Sequence, residues 1–218
     1  MNLVFPPLYA IIDAALLKTS ELSFVEMMAE SGVELLQYRN KRASSRELFE
    51  ASRSISATFS RLAKPGSYKP RFIVNDRADI ARLANAQGVH VGQQDLNVEE
   101  ARAIVGPDSL VGVSTHSLEQ LDAADKTSAD YIAFGPIFPT SSKENPDPVV
   151  GLELLREARQ HTQKPIVAIG GITLERAAEV FRAGADSLAV ARDLIVAENP
   201  AARAQLFLKE AARARGEN

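Results

Sequence analysis

Two carboxylates in this sequence are candidates for holding a divalent metal ion. Asp76 follows the apolar segment RFIVN at 71–75, and Asp95 follows GVHVG at 88–92. Mg²⁺ commonly binds one or two protein carboxylates together with substrate phosphates and water. The two aspartates therefore predict a magnesium site that also needs a phosphorylated ligand. The structural alternative is that Asp76 caps a helix that begins near Ala78.

Three basic side chains are candidates for binding a polyanion. Arg39 and Lys41 lie at or just after the end of VELLQYR at 33–39, and Lys143 ends the segment TSSK at 140–143. The chain has 25 Lys and Arg against 28 Asp and Glu, so any attraction for anions must be local. A cluster of these cations would suit a ligand such as pyrophosphate. The alternative is that they are solvated surface charges.

A second group of residues is suited to a single phosphate. Gly170 and Gly171 end the segment PIVAIGG, and the TSSK segment adds three hydroxyls in the chain's longest loop. Glycine allows close approach of the backbone, whose N–H groups bind anions well at the start of a helix. A phosphate pocket is one interpretation. A simple turn at the glycines and a solvated TSSK loop are the other.

Histidines and nucleophiles give weaker signals. His90 and His116 lie near strand ends, where a histidine serves either as an acid–base group or as a hydrogen-bonded structural group. His161 lies late in a helical segment, where we expect a surface residue. The sequence has no Ser–His–Asp signature, no GxxxxGK[ST] and no GxGxxG.

Eight apolar segments must position these residues, and they alternate with segments of helical periodicity. Most are continuous apolar runs, which is typical of parallel strands covered on both faces. The segments are LYAII (8–12), VELLQYR (33–39), RFIVN (71–75), GVHVG (88–92), LVGVST (110–115), YIAFG (131–135), PIVAIGG (165–171) and SLAVA (187–191). Eight strands favour an α/β fold of the single (β/α)8 TIM barrel type over an open doubly wound sheet of about six.

The chain is predicted to form one domain over residues 1–218. No Pro-, Ser- or Gly-rich linker and no block of charge divides it. We expect the barrel core over about 8–196 and a C-terminal helix and tail at 200–218, which should fray after Leu208. Because the carboxyl ends of barrel strands meet at one mouth, the candidate residues should lie together there.

Composition excludes several classes of protein. The absence of Cys excludes a disulfide scaffold, a zinc–thiolate site, an iron–sulfur cluster and a cysteine nucleophile. A net charge of -3 predicts no binding to nucleic acid or to an anionic membrane. No apolar stretch of about 20 residues predicts a membrane span, and the N-terminus lacks the basic leader of a signal peptide. We therefore predict a cytoplasmic protein, and the sequence leaves open whether it forms a homo-oligomer.

Eight segments carry a family resemblance from about Leu8 to Ile195. They are QYRNK (37–41), VNDRADIA (74–81), GVHVGQQD (88–95), GVSTHS (112–117), GPIFPTSSK (135–143), GLELL (151–155), VAIGGIT (167–173) and AGAD (183–186). In these segments the chain resembles the thiamine-phosphate synthase family. The resemblance implies a transferase that joins 4-amino-2-methyl-5-(diphosphooxymethyl)pyrimidine to a thiazole phosphate and releases pyrophosphate. It also implies one Mg²⁺ per active site and a dissociative reaction through a pyrimidine carbocation, which needs no protein nucleophile.

The resemblance also implies roles for individual residues. The pyrimidine diphosphate would be held by Gln37, Tyr38, Arg39, Asn40, Lys41, Asn75, His90, Ser114 and Lys143. Of these, the groups that act on the reaction itself would be Lys143, Arg39, Lys41 and Ser114. The thiazole phosphate would be held by Thr140, Ser141, Ser142, Gly171, Ala191 and Arg192. The metal would be held by Asp76 and Asp95.

One position departs from the family pattern. Members commonly have a small hydroxyl residue, often Ser, where this chain has Arg192. A backbone contact would survive that change, and the guanidinium could strengthen anion binding. It could also point outward and pair with Asp193.

Two alternatives accompany this assignment. The first is a thiazole tautomerase, a related enzyme on the same barrel, in which His116 would be the acid–base group. The second is a barrel that senses a thiamine phosphate without catalysis. Neither alternative needs the two metal carboxylates that this sequence contains.

Overall fold

The strands form where the apolar segments were predicted, and they close into a parallel barrel. In the computed structural model, which describes residues 5–62, 69–140 and 147–216, the strands are β1 (Leu8–Asp13), β2 (Leu35–Arg39), β3 (Arg71–Asn75), β4 (Gly88–Val91), β5 (Leu110–Thr115), β6 (Tyr131–Phe134), β7 (Ile166–Ile169) and β8 (Ser187–Val190). Each pairs with its neighbour in chain order, and β8 pairs with β1. The predicted (β/α)8 barrel is confirmed.

Helices follow the strands and cover the outside of the barrel. They are α1 (Glu21–Glu30), α2 (Ser45–Leu62), α3 (Ala78–Leu83), α4 (Val98–Val105), α5 (Leu118–Asp125), α6 (Gly151–His161), α7 (Leu174–Arg182), α8 (Arg192–Ile195) and α9 (Pro200–Arg215). Local chemistry sets several of their starts. The side chains of Ser20, Asn97 and Ser117 accept hydrogen bonds from the first turns of α1, α4 and α5.

Alternation along each strand divides the apolar residues into two cores. One face packs against the helices, whereas the other fills the barrel with side chains that include Tyr9, Leu35, Ile73 and Tyr131. Gly112 makes room for the largest of these, because a Cβ at Gly112 would lie 2.0 Å from the Tyr131 ring. The barrel interior is therefore a packed core that supports the mouth from below.

The C-terminal segment differs from the prediction that it frays after Leu208. The helix α9 is continuous to Arg215, with Asn199 capping its start and Gly216 its end. Its residues Phe207 and Ala211 are buried, because α9 packs across α7, α8 and α1. The polar residues near its end occupy the outer face of a helix whose inner face is part of the core.

No helix within the described ranges is long and apolar enough to cross a membrane.

Candidate active site

A row of hydrogen-bonded side chains crosses the barrel just below the mouth. Gln37 Nε2 donates to Tyr9 Oη at 2.8 Å, and Tyr9 Oη lies 2.9 Å from Tyr131 Oη. Tyr131 Oη lies 3.1 Å from Nδ1 of His90, whose Nε2 lies 2.8 Å from Ser114 Oγ. Three of the predicted site residues are therefore brought together, and they are joined by two tyrosines that the sequence analysis did not single out.

The tyrosines were missed for an identifiable reason. Tyr9 and Tyr131 stand within apolar strand segments, and this pattern predicts core positions rather than site residues. Both side chains are buried, and their rings pack edge to face with centroids 5.9 Å apart. A buried hydroxyl needs a partner, so two tyrosines inside predicted barrel strands were a usable signal for a polar network.

The segment from Gln37 to Lys41 turns its side chains in different directions. Gln37 and Arg39 point to the barrel interior and mouth, whereas Tyr38 faces the helices, where its hydroxyl lies 3.3 Å from Glu21 Oε1. Asn40 Oδ1 accepts from two backbone N–H groups of the following turn, and its Nδ2 donates to Tyr38. Of this segment, Tyr38 can reach a ligand in the mouth only through its backbone.

The basic residues at this side of the mouth are paired with carboxylates. Arg39 Nη1 lies 2.7 Å from Oδ2 of Asp13, a buried residue at the end of β1. Lys41 Nζ lies 3.1 Å from Asp76 Oδ2. The sequence predicted a concentration of cations here, but their charges are already balanced. Asp13, which is not among the residues predicted from the sequence, is also part of the site.

Asp76 and Asp95 are in direct contact, as the metal prediction requires. Burial and the neighbouring Asp95 raise the pKa of Asp76, while Lys41 opposes the rise. The backbone of Asp76 is left-handed, with φ of 63°. Asp95 is held by the backbone, since its Oδ2 accepts from Gly92 N at 2.8 Å.

The capping alternative for Asp76 does not hold. The N-cap position of α3 is occupied by Arg77, whose side chain makes no capping hydrogen bond. Asp76 therefore points away from the helix and towards another carboxylate. Two carboxylates in contact suit a divalent cation, and among the described residues no cluster of three or more His, Asp or Glu side chains offers a site made by protein alone.

The remaining predicted residues around the pyrimidine side have simpler surroundings. Asn75 ends β3 opposite His90 and is partly exposed. Ser114 is also partly exposed, and its backbone carbonyl accepts from Gln93 Nε2 at 2.6 Å. Lys143 lies outside the described residues.

On the opposite side of the mouth, the loops after β6 and β7 are packed together. Ile137 and Phe138 donate backbone hydrogen bonds to Ile169 and Gly170. Gly171 has φ of 63°, and a Cβ there would lie 2.6 Å from the Pro139 carbonyl oxygen. The glycine is thus required by the approach of the neighbouring loop, and the two loops form one surface.

Arg176 contacts both loops of this surface. Its guanidinium lies 4.4 Å from the centroid of the Phe138 ring, and its Nη1 donates to the Gly171 carbonyl at 3.3 Å. Thr140 ends the described part of the loop, and the predicted Ser141 and Ser142 lie outside it.

The loop after β8 contains the position that departs from the family pattern. Ala191 caps the short α8, and Arg192 is exposed at its start. The suggested pairing of Arg192 with Asp193 is not formed, because Asp193 instead binds Arg203 through two hydrogen bonds of 2.9 and 3.0 Å. The Arg192 guanidinium forms no hydrogen bond with any residue that the structure describes.

The other two histidines are engaged. Nδ1 of His116 lies 2.6 Å from the Gly135 carbonyl oxygen, and its Nε2 lies 3.4 Å from Asp147 Oδ2. His161 lies on the outside of α6, where it pairs with Asp122 at 2.8 Å.

Comparisons with known proteins agree in one direction. A family described as thiamine monophosphate synthase matches residues 8–194. A thiamine-phosphate synthase of Koribacter versatilis is 49% identical over 213 residues, which are 95% of this chain and 97% of that protein. One from Shouchella clausii is 42% identical over 84% of this chain and 87% of its own length. The solved thiamine phosphate pyrophosphorylase of Pyrococcus furiosus superposes with a TM-score of 0.84 at 34% identity, covering 95% of this chain and 96% of that one.

Proposed function

This chain belongs to the thiamine monophosphate synthase family of transferases, and from that premise we propose how its mouth carries out the synthase reaction. The proposed substrates are 4-amino-2-methyl-5-(diphosphooxymethyl)pyrimidine and a thiazole phosphate, and the products are thiamine monophosphate and pyrophosphate. The reaction is proposed to depend on Mg²⁺.

The charge balance at the mouth is the observation that carries the metal proposal. Around the ends of β1 to β4, Asp13 pairs with Arg39 and Asp76 pairs with Lys41, and Asp95 adds a third carboxylate in contact with Asp76. A diphosphate adds further negative charge and would be repelled by this arrangement. Asp76 and Asp95 would hold a divalent cation, whose positive charge would offset the negative charge of the carboxylates and of the diphosphate.

The proposed chemistry is the exchange of one bond for another. The bond between the pyrimidine methylene carbon and the diphosphate oxygen breaks, and its electron pair leaves with pyrophosphate. The lone pair of the thiazole nitrogen then forms the new carbon–nitrogen bond. The positive charge ends on the thiazolium ring, so the step needs no oxidant and no protein nucleophile.

The chain's own groups are proposed to hold and orient the two substrates. Gln37, Asn75 and His90 would bind the pyrimidine, which keeps its methylene carbon facing the second substrate. Ser114, Arg39, Lys41 and Lys143 would stabilise charge on the leaving diphosphate. The row of hydrogen bonds beneath the mouth supports the first role, because it fixes Gln37 and His90 before a ligand arrives.

The thiazole phosphate is proposed to bind across the loops after β6, β7 and β8. The proposed residues are Thr140, Ser141, Ser142, Gly171, Ala191 and Arg192. The packing of the first two loops supports this proposal, since it brings Gly171 beside the segment that leads to Thr140. The exposed guanidinium of Arg192 adds a cation at the third loop.

Product formation tests the proposal, with Asp76→Asn compared with Asp79→Asn. Asp79 is the matched control, because it lies three residues away and pairs with Arg77 on the surface. We expect thiamine monophosphate and pyrophosphate only when Mg²⁺ is present. Asp76→Asn should lower kcat by about a hundredfold, whereas Asp79→Asn should stay within about twofold of the unchanged protein. Full activity in excess chelator, or in Asp76→Asn, would contradict the metal proposal.

The tautomerase is the alternative outcome of the same assay. It would appear as proton exchange on the thiazole phosphate without any pyrophosphate. His116 follows β5, and its two ring nitrogens face the Gly135 carbonyl oxygen, just after β6, and the Asp147 carboxylate. This arrangement supports a structural role for the histidine, as a link between the ends of β5 and β6.

A further inference from the structure

The row of hydrogen bonds inside the barrel has a direction, and its two tyrosines have no role in the proposal above. The row runs from Gln37 through Tyr9, Tyr131 and His90 to Ser114. Gln37 is 3% exposed and His90 is 6% exposed, so neither can exchange its partner freely for water. Ser114, at one end of the row, is the member that is partly exposed, and Gln37 forms the other end.

The donors and acceptors in the row can be assigned in order. Gln37 Nε2 can only donate, so the Tyr9 oxygen accepts from it. The single hydroxyl proton of Tyr9 then goes to the Tyr131 oxygen, because a buried hydroxyl left without an acceptor is unfavourable. Tyr131 in turn gives its own proton to Nδ1 of His90.

The position of the proton on His90 determines whether Ser114 Oγ donates or accepts. With Nδ1 accepting, a neutral His90 carries its proton on Nε2 and donates it to Ser114 Oγ. The serine oxygen is then an acceptor inside the protein, and its hydroxyl proton is available for an acceptor in the mouth. At the other end of the row, the Gln37 carbonyl oxygen is available to accept.

Burial keeps both tyrosines in the protonated form that this order requires. Burial raises the pKa of Tyr9 above the ordinary tyrosine value, although its hydrogen bonds with Tyr131 and Gln37 oppose the rise. Burial also raises the pKa of Tyr131, and the adjacent Tyr9 adds to the effect. Both hydroxyls therefore keep their protons, and can donate, at neutral pH.

Packing inside the barrel holds Tyr131 between the two ends of the hydrogen-bonded row, with Tyr9 on one side and His90 on the other. Its ring stacks on His90, with centroids 5.6 Å apart, and lies 4.9 Å from the Phe5 ring. Gly112 provides the space for its phenol end. This packing is independent of the hydroxyl, so the hydroxyl can be removed while the ring stays in place.

We propose that Tyr131 and Tyr9 are positioning residues. Tyr131 holds His90 in the Nε2–H form, so that Ser114 presents a proton donor to the substrate, and Tyr9 holds the Gln37 amide so that its carbonyl presents an acceptor. The inference rests on the proposed function, since the pyrimidine diphosphate is the ligand that meets both groups. Its chemistry fits them, because a pyrimidine amino group donates hydrogen bonds and diphosphate oxygens accept them. Tyr9 and Tyr131 are buried beneath the mouth, so their proposed role is exerted through Gln37 and His90.

The direct test is the tautomer of His90 in the full-length protein without substrates. Nuclear magnetic resonance of ¹³C,¹⁵N-histidine distinguishes the two neutral forms through their ring shifts. The chain has three histidines, so His116→Gln and His161→Gln identify the signal of His90. At about pH 8, where histidine is ordinarily neutral, we expect the Nε2–H form. The Nδ1–H form, or an even mixture, would overturn the inference whatever the activity of the protein.

Three tyrosine variants extend the test. Tyr131→Phe removes the donor to His90, so the Nε2–H preference should be lost and kcat should fall by about tenfold. The KM for the thiazole phosphate should remain within about twofold. Tyr9→Phe leaves Tyr131 able to donate, so the His90 tautomer should persist. Tyr38→Phe is the spectroscopic control, because its hydroxyl lies on the opposite face of the barrel wall.

The outcomes separate this inference from the proposed function. An unchanged His90 tautomer in Tyr131→Phe would refute the positioning role even if the enzyme makes thiamine monophosphate. Absence of product from the unchanged protein would refute the function while the tautomer measurement still stands. Should Tyr131→Phe fail to fold, the tautomer of the unchanged protein still decides the assignment of donors.

Discussion

At the scale of single residues, Asp76 is held in an unfavourable state by its surroundings. Its φ of 63° lies in the left-handed region, which aspartate tolerates better than most residues. Partial burial and contact with Asp95 disfavour its charge, and Lys41 compensates only in part. Such strain is common at functional sites, where the surrounding structure maintains it. A divalent cation would relieve the electrostatic part here.

This state predicts that Asp76→Asn stabilises the metal-free protein while it lowers activity. The pKa of Asp76 is raised on folding, so its contribution to stability is greatest at low pH and is lost as the pH rises through the folded value. At about pH 7, the variant should therefore melt about 2 °C higher than the unchanged protein. Thermal unfolding in chelator, followed by circular dichroism, measures the difference.

The control for this prediction is Asp79, whose pKa shift has the opposite sign to that of Asp76. Hydrogen bonds from Arg77 lower the pKa of Asp79, so its contribution is present at neutral pH and is lost as the pH falls. Asp79→Asn should not raise the melting temperature. In Asp76→Asn, the part of the gain in melting temperature that comes from removing charge should vanish at pH values below the ordinary pKa range of aspartate. Any part that comes from the better tolerance of Asn for positive φ would persist at low pH. A gain that does not depend on pH would contradict the electrostatic explanation.

At the scale of elements, the loops after β6 and β7 behave as one unit. Their backbones are hydrogen-bonded beyond the ends of the strands, and Arg176 spans Phe138 and Gly171 on the outside. The segment that leads to Thr140 therefore starts from a fixed position. These contacts bring the loop after β6 so close to Gly171 that a side chain at this position would collide with it.

Gly171→Ala is expected to raise the KM for the thiazole phosphate by about tenfold or more. The added Cβ would lie 2.6 Å from the Pro139 carbonyl oxygen, so the loop after β6 must shift. Steady-state kinetics with each substrate varied in turn measures the effect. The KM for the pyrimidine diphosphate should change less, because that substrate is proposed to bind on the other side of the mouth.

Gly106→Ala is the matched control for the loop effect. Gly106 also has positive φ, at 90°, but an added Cβ there meets no atom of the described residues within 4 Å. It lies at the end of α4, away from the mouth. Both variants lose stability through backbone strain, and only Gly171→Ala should change the KM. Equal KM values would show that Gly171 serves the fold alone.

At the scale of the whole molecule, the end of α9 binds the segments that lead into the first and last strands of the barrel. Arg215 donates to the backbone carbonyls of Asp186, which precedes β8, and Phe5, which precedes β1. Its guanidinium also lies 5.9 Å from the centroid of the Phe181 ring of α7. The end of the chain thus stabilises the seam between β1 and β8, where strands far apart in sequence must pair.

Arg215→Ala is therefore expected to lower the melting temperature by about 5 °C, because two carbonyls lose a charged donor. Differential scanning calorimetry measures the change. The control is Arg213→Ala, whose side chain is 72% exposed and, among the described residues, pairs with Glu210 on the same helix. It should change the melting temperature by about 1 °C or less. Equal effects of the two variants would indicate that α9 is merely attached to the barrel.

The sequence by itself determined the barrel and the location of its mouth. Eight buried runs separated by helical segments have few other ways to bury their apolar faces. The carboxyl ends of parallel strands then lie together whatever the side chains are. This is why Asp76, Asp95 and Lys41 could be predicted to meet, and why Gln37, His90 and Ser114 could be predicted to share a pocket.

Only the tertiary structure decided which groups pair with each other. Tyr9 and Tyr131 are separated by 122 positions in the chain, and their contact depends on barrel closure and on the space left by Gly112. The pairing of Arg39 with Asp13 depends on the register of β1 and β2, and the same alternation turns Tyr38 towards the helices. Side-chain pairing requires register and packing to within about an ångström, and local sequence patterns carry no such distances.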